Sequence, residues 1–547
     1  MTYDLRDFKA GGYEQDVLVK AFPEMGIEVE DIKETDIILS VTPNRPDFLD
    51  FTGLIRGLDN YTGKKTPREG YYKVEGDPAI KIKVEKAVKK VRPFIAGLVV
   101  KNLDLSGNKL KYLINFTEKF ADTFGRRRKK IAIGIHSLSV IKGNVTYTAS
   151  KSDSFVPLGH QKKMGFEEIM KEHDKGVTYQ DTVPLYGTGK AMFPHIRDDE
   201  KILALIPITN SEATKTTEKT KEVFVDITGT SKKAVAETAA LLACSFQYSG
   251  AEVHSVAVDY GGKIQQTPHM EYREIKLNLR KAAKSLGVDV ARHDVVKLAN
   301  KMGYVAAKYG NKILFYVPPY RVDVLNDQDV TEDVAIAFGY DNITPLPIMG
   351  FSTGLADDAN EMENRLAIDM VGLGYLEAVN SVLTNEKTNF ENLLIKYREG
   401  DYIKVADSKS AEATMVRSSI LPGLLKNLSE SKNDRLPQRM FEIGKVFSLE
   451  EGFVKESLRM GIVCEHSKAN FAEIKAVVEN VMKFLEIDYR FEPHKGAAFI
   501  EGRCASILVN GESIGTFGEL HPMVLEKFGL EEPTVGGFIT LIKEIKY

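Results

Sequence analysis

Between Val317 and Tyr340 the chain reads Val-Pro-Pro-Tyr-Arg-Val-Asp-Val-Leu-Asn-Asp-Gln-Asp-Val-Thr-Glu-Asp-Val-Ala-Ile-Ala-Phe-Gly-Tyr. Asp329, Glu332 and Asp333 follow i, i+3, i+4 spacing, which puts them on one face of a helix. Val330, Val334, Ala337 and Phe338 follow the spacing of an opposite, buried face. Carboxylates crowded on one turn repel one another unless a cation neutralises them. An oxygen-only donor set suits a hard cation such as Mg²⁺, which keeps some waters and needs few protein ligands. Asp323, from the extended segment just before, is placed to close such a site from the side. The same spacing has a second explanation: Asp329-x-x-Glu332 matches a capping box, and acids favour a helix N-terminus. Pattern alone leaves both open.

The length of 547 residues implies about three to four domains. Hydrophobic content of 43% and charged content of 28% are ordinary for a folded soluble protein. A formal net charge of -3 gives no global attraction to nucleic acid, so any RNA contact must use a local basic patch. Cys244, Cys464 and Cys504 are far apart and form no Cys-x-x-Cys, which argues against a thiol-ligated zinc site or a disulfide framework. The first residues are charged and lack an apolar signal core. No apolar run reaches the roughly 18 residues of a membrane span. The expectation is a cytoplasmic protein with no membrane contact.

Four regions follow from composition and periodicity. Residues 1–90 form an N-terminal mixed α/β region. In it, Thr42-Pro-Asn-Arg-Pro46 is a stiff extended loop and Asp47 caps a helix with a Phe51, Leu54, Ile55, Leu58 stripe. Residues 91–265 are expected to be a mixed α/β domain with strands at Phe94–Val100, Ile131–Ile135, Ile202–Ile206 and Val223–Ile227 and helices at Lys111–Phe124 and Lys232–Tyr248. Residues 266–345 are short and helix-rich, similar to a winged-helix module, with Asp294 capping one helix. Residues 346–547 return to α/β, with a helix at Ala359–Val371 and strands near Glu377–Leu383, Arg439–Phe447, Arg459–Cys464 and Gly502–Val509.

Individual motifs are weak. Gly187-Thr-Gly-Lys190 lacks the upstream glycine of a phosphate loop and is followed by Ala191. Gly372-Leu-Gly374 has no third glycine and reads as a helix C-cap. Gly125-Arg-Arg-Arg-Lys-Lys130 is the densest basic run; it suits a phosphate backbone, and equally a solvated loop. His136 at a strand end reads as structural. Asn210, Ser211 and Glu212 after one strand, and Asp226 and Thr228 on another, are polar groups suited to line a pocket. Glu442, among apolar neighbours in Arg439-Met-Phe-Glu-Ile-Gly444, needs a partner unless its strand is an edge.

Taken together, Thr42-Pro-Asn-Arg-Pro-Asp47, the 125–136 stretch, Tyr320-Arg-Val-Asp323 through Glu332-Asp-Val-Ala335, the 439–447 stretch and Phe517-Gly-Glu-Leu-His-Pro522 resemble the β subunit of phenylalanyl-tRNA synthetase, archaeal/eukaryotic type. The resemblance implies an α2β2 heterotetramer in which the α subunit binds ATP and phenylalanine and charges tRNA(Phe). It implies a B3/B4 editing domain at 91–265, a B5 module at 266–345 and a catalytically degenerate class II synthetase-like domain at 346–547, an antiparallel sheet with helices. It places Mg²⁺ on Asp323, Asp329, Glu332 and Asp333, at a site shared with the α subunit. Arg439–Glu442 is similar to class II motif 2, but no Gly-rich strand with an arginine follows to hold ATP. An inserted domain near the start and a further domain after the Gly-Glu-Leu-His-Pro segment, features of bacterial β subunits, are not visible. Glu212, Asn210 and Asp226 are the candidates for an editing pocket that hydrolyses Tyr-tRNA. The other classes considered are a winged-helix nucleic-acid-binding regulator and a stand-alone trans-editing deacylase.

Overall fold

The Val-Phe-Val-Asp-Ile-Thr-Gly run at Val223–Gly229 is buried at every position. A near-continuous apolar run of this length belongs to a strand covered on both faces, and here it lies deep in a ten-stranded sheet. The computed structural model describes all residues except 69, 291–293, 451 and 543–547. It divides into two compact units, Met1–Ile348 and Met349–Tyr547.

The first unit contains three sheets of three or more strands and one two-stranded pair, Ser154–Phe155 with Met164–Gly165. Thr2–Asp4, Asp36–Ser40 and Glu28–Ile32 form a small antiparallel sheet, with Phe8, Phe22, Leu54 and Leu58 in its core. The helix Phe51–Tyr61 packs here, but Asp47 does not cap it; Asp50 holds that position. Asp47 lies in a preceding 3-10 turn, Pro46–Leu49, where Arg45 and Arg56 draw its carboxylate inward at 3.0 and 3.6 Å.

In the large sheet the strand order runs from Thr209–Asn210 through Ile202–Leu205, Phe193–Arg197, Val145–Ser150, Glu75–Val84, Glu252–Asp259, Phe94–Lys101 and Val223–Gly229 to Ile131–Ser137. The first strand of this set, Glu75–Val84, lies inside the 1–90 region of the sequence reading yet belongs to this sheet. Helices Lys109–Asp122 and Lys232–Tyr248 cover one face, burying Phe116, Phe120, Leu241 and Leu242 against Leu98, Val225 and Ile227. The other face holds Ile95, Val99, Tyr147, Phe224 and Val256. The two ends of the sheet curl toward each other: Asn210 Nδ2, on one terminal strand, donates to Ile135 O on the other at 3.1 Å. The third sheet, Arg273–Asn278, Lys312–Val317 and Val305–Tyr309, packs with helices Leu279–Leu286, Val295–Lys301 and Asp327–Phe338.

The second unit is built on a seven-stranded sheet ordered Leu376–Glu377, Gln438–Glu450, Phe453–Glu465, Thr534–Ile542, Glu512–Leu520, Phe499–Val509 and Arg490–Pro493, antiparallel except for its first pair. Helices Asp358–Gly372 and Phe471–Phe484 share one core with it, Leu421–Glu430 and Pro522–Phe528 another. The expected strand at Glu377–Leu383 is instead two short pieces in different sheets. The chain leaves the sheet between them because the Asn380 side chain turns to hydrogen-bond Glu442 at 2.8 Å.

Leu98 is fully buried in the core under both long helices. Leu98→Ala is expected to remove about 2–5 kcal/mol. Hydrogen exchange of the Phe94–Lys101 amides in urea checks this; wild-type protection would show that the helices do not press on that strand.

Candidate functional site

The slot where the two sheet ends meet opens into a cavity of about 250 Å³. Its floor is apolar, with Leu113, Ile133, Ile135 and Leu205, and Asn210, Glu118, Arg128 and Lys175 supply polar groups on its wall. Arg128 is buried and donates to Pro207 O at 2.9 Å and Ile208 O at 3.0 Å. It also pairs with Glu118, whose other oxygen meets Lys175 Nζ at 2.7 Å. Burial pushes the Glu118 carboxyl up, but Arg128 and Lys175 together outweigh it and hold it below the usual range.

Behind this wall lies a buried polar relay. His136 Nε2 is 3.0 Å from Asp226 Oδ2, and His136 Nδ1 is 2.9 Å from Thr214 Oγ1. All three side chains are fully buried. Thr214 Oγ1 also donates to Ser211 O at 3.2 Å, so the threonine links the imidazole to the backbone of the rim. Asp226 Oδ1 has no hydrogen-bond partner. The register explains how a carboxylate fits in mid-sheet: Asp226 lies opposite Gly134 on one side and Gly97 on the other. A Cβ on Gly134, which lines the cavity, would come within 2.1 Å of Asp226 Oδ2.

Of the three candidates for an editing pocket, Asn210 lies on the lining of this cavity and Asp226 stands directly behind the wall. Glu212 is not on the lining. Its carboxylate accepts from Gly159 N at 2.7 Å and pairs with Lys215 at 3.1 Å, and these bonds hold it below its ordinary pKa. Gly159 and Lys215 do line the cavity, so Glu212 organises the rim. Sequence reasoning passed over Thr214 and Glu118, saw Arg128 only within the basic run, and took His136 as structural. The available signal was Gly134, an unexplained glycine inside an apolar strand two residues before His136.

The acidic turn is arranged differently from its linear pattern. Asp323 takes a bidentate pair from Arg321, at 3.0 Å from Nε and 2.7 Å from Nη2. The same guanidinium reaches Asp333 at 2.5 Å, and Tyr304 donates its hydroxyl to that carboxylate. Burial raises the Asp323 carboxyl, and Arg321 and Arg45 outweigh it and lower it. Asp329 accepts from Leu325 N at 2.6 Å and Asn326 N at 2.9 Å, completing a capping box with Asn326 as the cap. The box therefore sits one turn earlier than Asp329-x-x-Glu332. Glu332 is exposed. Among the described residues, the trio with ligand atoms within 4.8 Å of one another is Cys464, His466 and Glu473, not these four carboxylates. As this chain arranges them, Asp323, Asp329, Glu332 and Asp333 do not fit one shared divalent ion, because Arg321 already holds two of them.

In the second unit, Glu442 is buried and bonded to Arg417 Nη1 at 2.5 Å, and Arg439 pairs with Glu473 at 3.1 Å. Arg439 and Glu442 are thus tied to the protein itself.

Residues 275–340 match the family described as tRNA synthetase B5 domain, and residues 344–540 match the phenylalanyl tRNA synthetase beta chain CLM domain. Fold and matches together define a subunit of an aminoacyl-tRNA ligase. The phenylalanine--tRNA ligase beta subunit of Archaeoglobus fulgidus is 34% identical over 525 residues, covering 95% of this chain and 94% of that one. The Methanocaldococcus jannaschii protein of the same name is 34% identical over 538 residues, covering 96% and 95%. An N-terminal fragment of the phenylalanyl-tRNA synthetase beta subunit from Pyrococcus horikoshii superposes with a TM-score of 0.58 at 28% identity, over 62% of this chain and 99% of the fragment. The chain belongs to the phenylalanine–tRNA ligase β-subunit family. Similarity along almost its whole length supports neither a winged-helix regulator nor a stand-alone deacylase.

Removing the cation of the acidic turn tests its electrostatics. Arg321→Met leaves the Asp323 and Asp333 carboxylates without their guanidinium and is expected to cost about 3–5 kcal/mol. Chemical denaturation checks this, and a loss under about 1 kcal/mol would match an exposed pair instead.

Proposed function

We propose that this chain works as the β half of an α2β2 phenylalanine–tRNA ligase in the cytoplasm, and that its own chemistry is hydrolysis of mischarged Tyr-tRNA. The α subunit binds ATP and phenylalanine and charges tRNA(Phe). What supports this division is the internal pairing of Arg439 with Glu473 and of Glu442 with Arg417, which leaves neither free for a nucleotide. Among the described residues no helix is long and apolar enough to cross a membrane.

The observation that carries the hydrolytic reading is the cavity between the sheet ends, with an apolar floor and Asn210 on its wall. Tyrosine is phenylalanine plus one hydroxyl. An apolar pocket rejects an added hydroxyl only weakly, by about 10², whereas a site that hydrogen-bonds the hydroxyl discriminates by roughly 10⁴–10⁵. A second pocket of that kind lets the enzyme remove what the first admits. In this reading the aromatic ring lies against Leu113, Ile133 and Leu205, and Asn210 or the Glu118 carboxylate receives the tyrosyl hydroxyl. Asp226 and His136 fix the polarity of the wall, and Glu212 holds the Gly159 rim. Hydrolysis proceeds with a positioned water and fixed polar groups and needs no nucleophilic serine or cysteine.

Mg²⁺ is proposed for the assembled enzyme. On this chain the exposed Glu332 is the donor of the acidic turn not bound elsewhere, and no step of the proposed hydrolysis runs through the ion.

Deacylation of Tyr-tRNA and Phe-tRNA by the purified αβ enzyme tests the assignment. Asn210→Ala is expected to lower the Tyr/Phe ratio of kcat/KM by at least about tenfold, and Glu212→Ala to raise KM. Undiminished discrimination in Asn210→Ala would remove this cavity as the editing pocket; unchanged hydrolysis in Glu212→Ala would remove Glu212 from the site.

A further inference from the structure

The helix Lys109–Asp122 ends in a loop whose backbone is unusual. Arg126, Arg127 and Arg128 have φ of 51°, 51° and 63°. Three successive non-glycine residues in the left-handed region form a single left-handed turn, which crowds each Cβ against the following carbonyl oxygen. The turn is well bonded: Arg127 N donates to Asp122 O, Arg128 N to Ala121 O, and Lys130 N to Gly125 O, at 2.8–2.9 Å. Gly125 is needed at its start, because a Cβ there would lie 2.2 Å from Ala121 O.

Glycine would adopt these conformations without strain, yet the sequence places arginine at all three. For Arg128 the reason is visible in its buried bonds to Pro207, Ile208 and Glu118 on the cavity wall. Lys129 is paired with Asp181 at 2.8 Å. Arg126 and Arg127 are different. Both are exposed, and neither has an ion pair among the described residues; Arg127 reaches only Thr178 O at 3.3 Å. The left-handed turn therefore sends one guanidinium into the cavity wall and holds the two preceding ones outside it. Lys175 and Lys215 also line the cavity, but each is paired there, with Glu118 and Glu212. Two exposed cations without ion pairs among the described residues, next in sequence to a residue of the cavity wall, are suited to contact phosphates near that pocket.

We infer that the left-handed Arg126–Arg127 turn is a phosphate clamp for the single-stranded 3′ end of tRNA as it enters the cavity between the sheet ends. The inference rests on the hydrolytic reading of that cavity. It assigns the two side chains to backbone contact rather than to reading bases, so they set affinity and position without sequence preference.

The test uses the αβ enzyme with three double variants: Arg126→Gln with Arg127→Gln, Arg126→Lys with Arg127→Lys, and Arg126→Gly with Arg127→Gly. The readouts are KM for Tyr-tRNA deacylation and the salt dependence of binding of uncharged tRNA(Phe). Each phosphate contact to a single strand contributes a slope of about 0.7 in log K against log salt. The glutamine and glycine pairs are expected to flatten the slope by about 1.4 and to raise KM at least about tenfold, while the lysine pair keeps most of the slope. A purely structural turn gives the reverse order: glycine, which relieves the backbone, binds as wild type and lysine gives no rescue. That order, or equal slopes in all four proteins, would overturn the clamp. Should the wild-type enzyme not hydrolyse Tyr-tRNA at all, the hydrolytic reading falls. The binding slopes then decide the loop alone: a flattened slope keeps it as a tRNA contact, and an unchanged one removes it.

Discussion

The first unit depends on a guanidinium with nowhere to go but its neighbours. Arg56 is almost fully buried and lies 3.6 Å over the ring of Tyr320. Its charge is balanced by Asp47 at 3.6 Å, and its two terminal nitrogens have no hydrogen-bond partner. A buried cation without full hydrogen bonding is costly unless its anion and its aromatic faces stay in place. Those partners come from two regions. Arg56 and Asp47 belong to the N-terminal segment, Tyr320 precedes the acidic helix, and Tyr320 itself lies in the core beneath the long helix of the large sheet. Arg45 continues the chain of charges, paired to Asp47 at 3.0 Å and 4.0 Å from Asp323. The seam therefore links the acidic turn to the fold of the whole unit through alternating charges rather than through apolar area alone.

The same logic of a buried charge held by its surroundings shapes the cavity. Asp226 is accommodated because the strands on both sides offer glycine at its level, and because His136 and Thr214 continue its hydrogen bonding inward. The unpartnered Oδ1 is a cost that packing alone does not require. A valine in place of Asp226 would suit the surrounding core better by composition. The carboxylate, the glycine gap and the curled sheet ends joined by Asn210 make one arrangement, in which polarity is placed immediately behind an apolar floor.

The sequence made some of this legible. The helix Lys232–Tyr248 was readable to its ends, because Ser231 supplies the cap and its buried face repeats without a break. The spacing of Asp329, Glu332 and Asp333 correctly implied a helix, but not what the carboxylates do there. Asp333 is turned inward to Tyr304 and Arg321, Asp329 closes a cap begun by Asn326, and Glu332 points to solvent. Periodicity specifies a face; it does not specify which neighbour from 29 residues away in the chain will occupy it. The strand Val145–Ser150 escaped notice for a related reason: Val-Thr-Tyr-Thr-Ala-Ser alternates too gently to stand out from polar loops, and its burial comes from pairing with two other strands. Asn210 was visible as a polar residue after a strand, whereas Arg128 was visible only as part of a basic run. Its inward turn depends on a left-handed backbone that no propensity favours.

That backbone bears on how the two units divide their labour. In the second unit, charged residues on the central strands are satisfied locally: Arg439 by Glu473, Glu442 by Arg417 and Asn380. Exceptions remain there too: Asp369 Oδ2 and Arg459 Nε have no hydrogen-bond partner, and Leu394, Asp407, Glu486 and Asn510 take positive φ. In the first unit a carboxylate oxygen is left unpartnered, three arginines are held in an unfavourable conformation, and two of them face solvent unpaired. Broken local rules gathered in one place are the mark of a site that must meet something outside the chain. By that criterion the wall of the cavity between the sheet ends, with Arg128 on it and Asp226 behind it, is the part of the first unit on which the proposed hydrolysis rests.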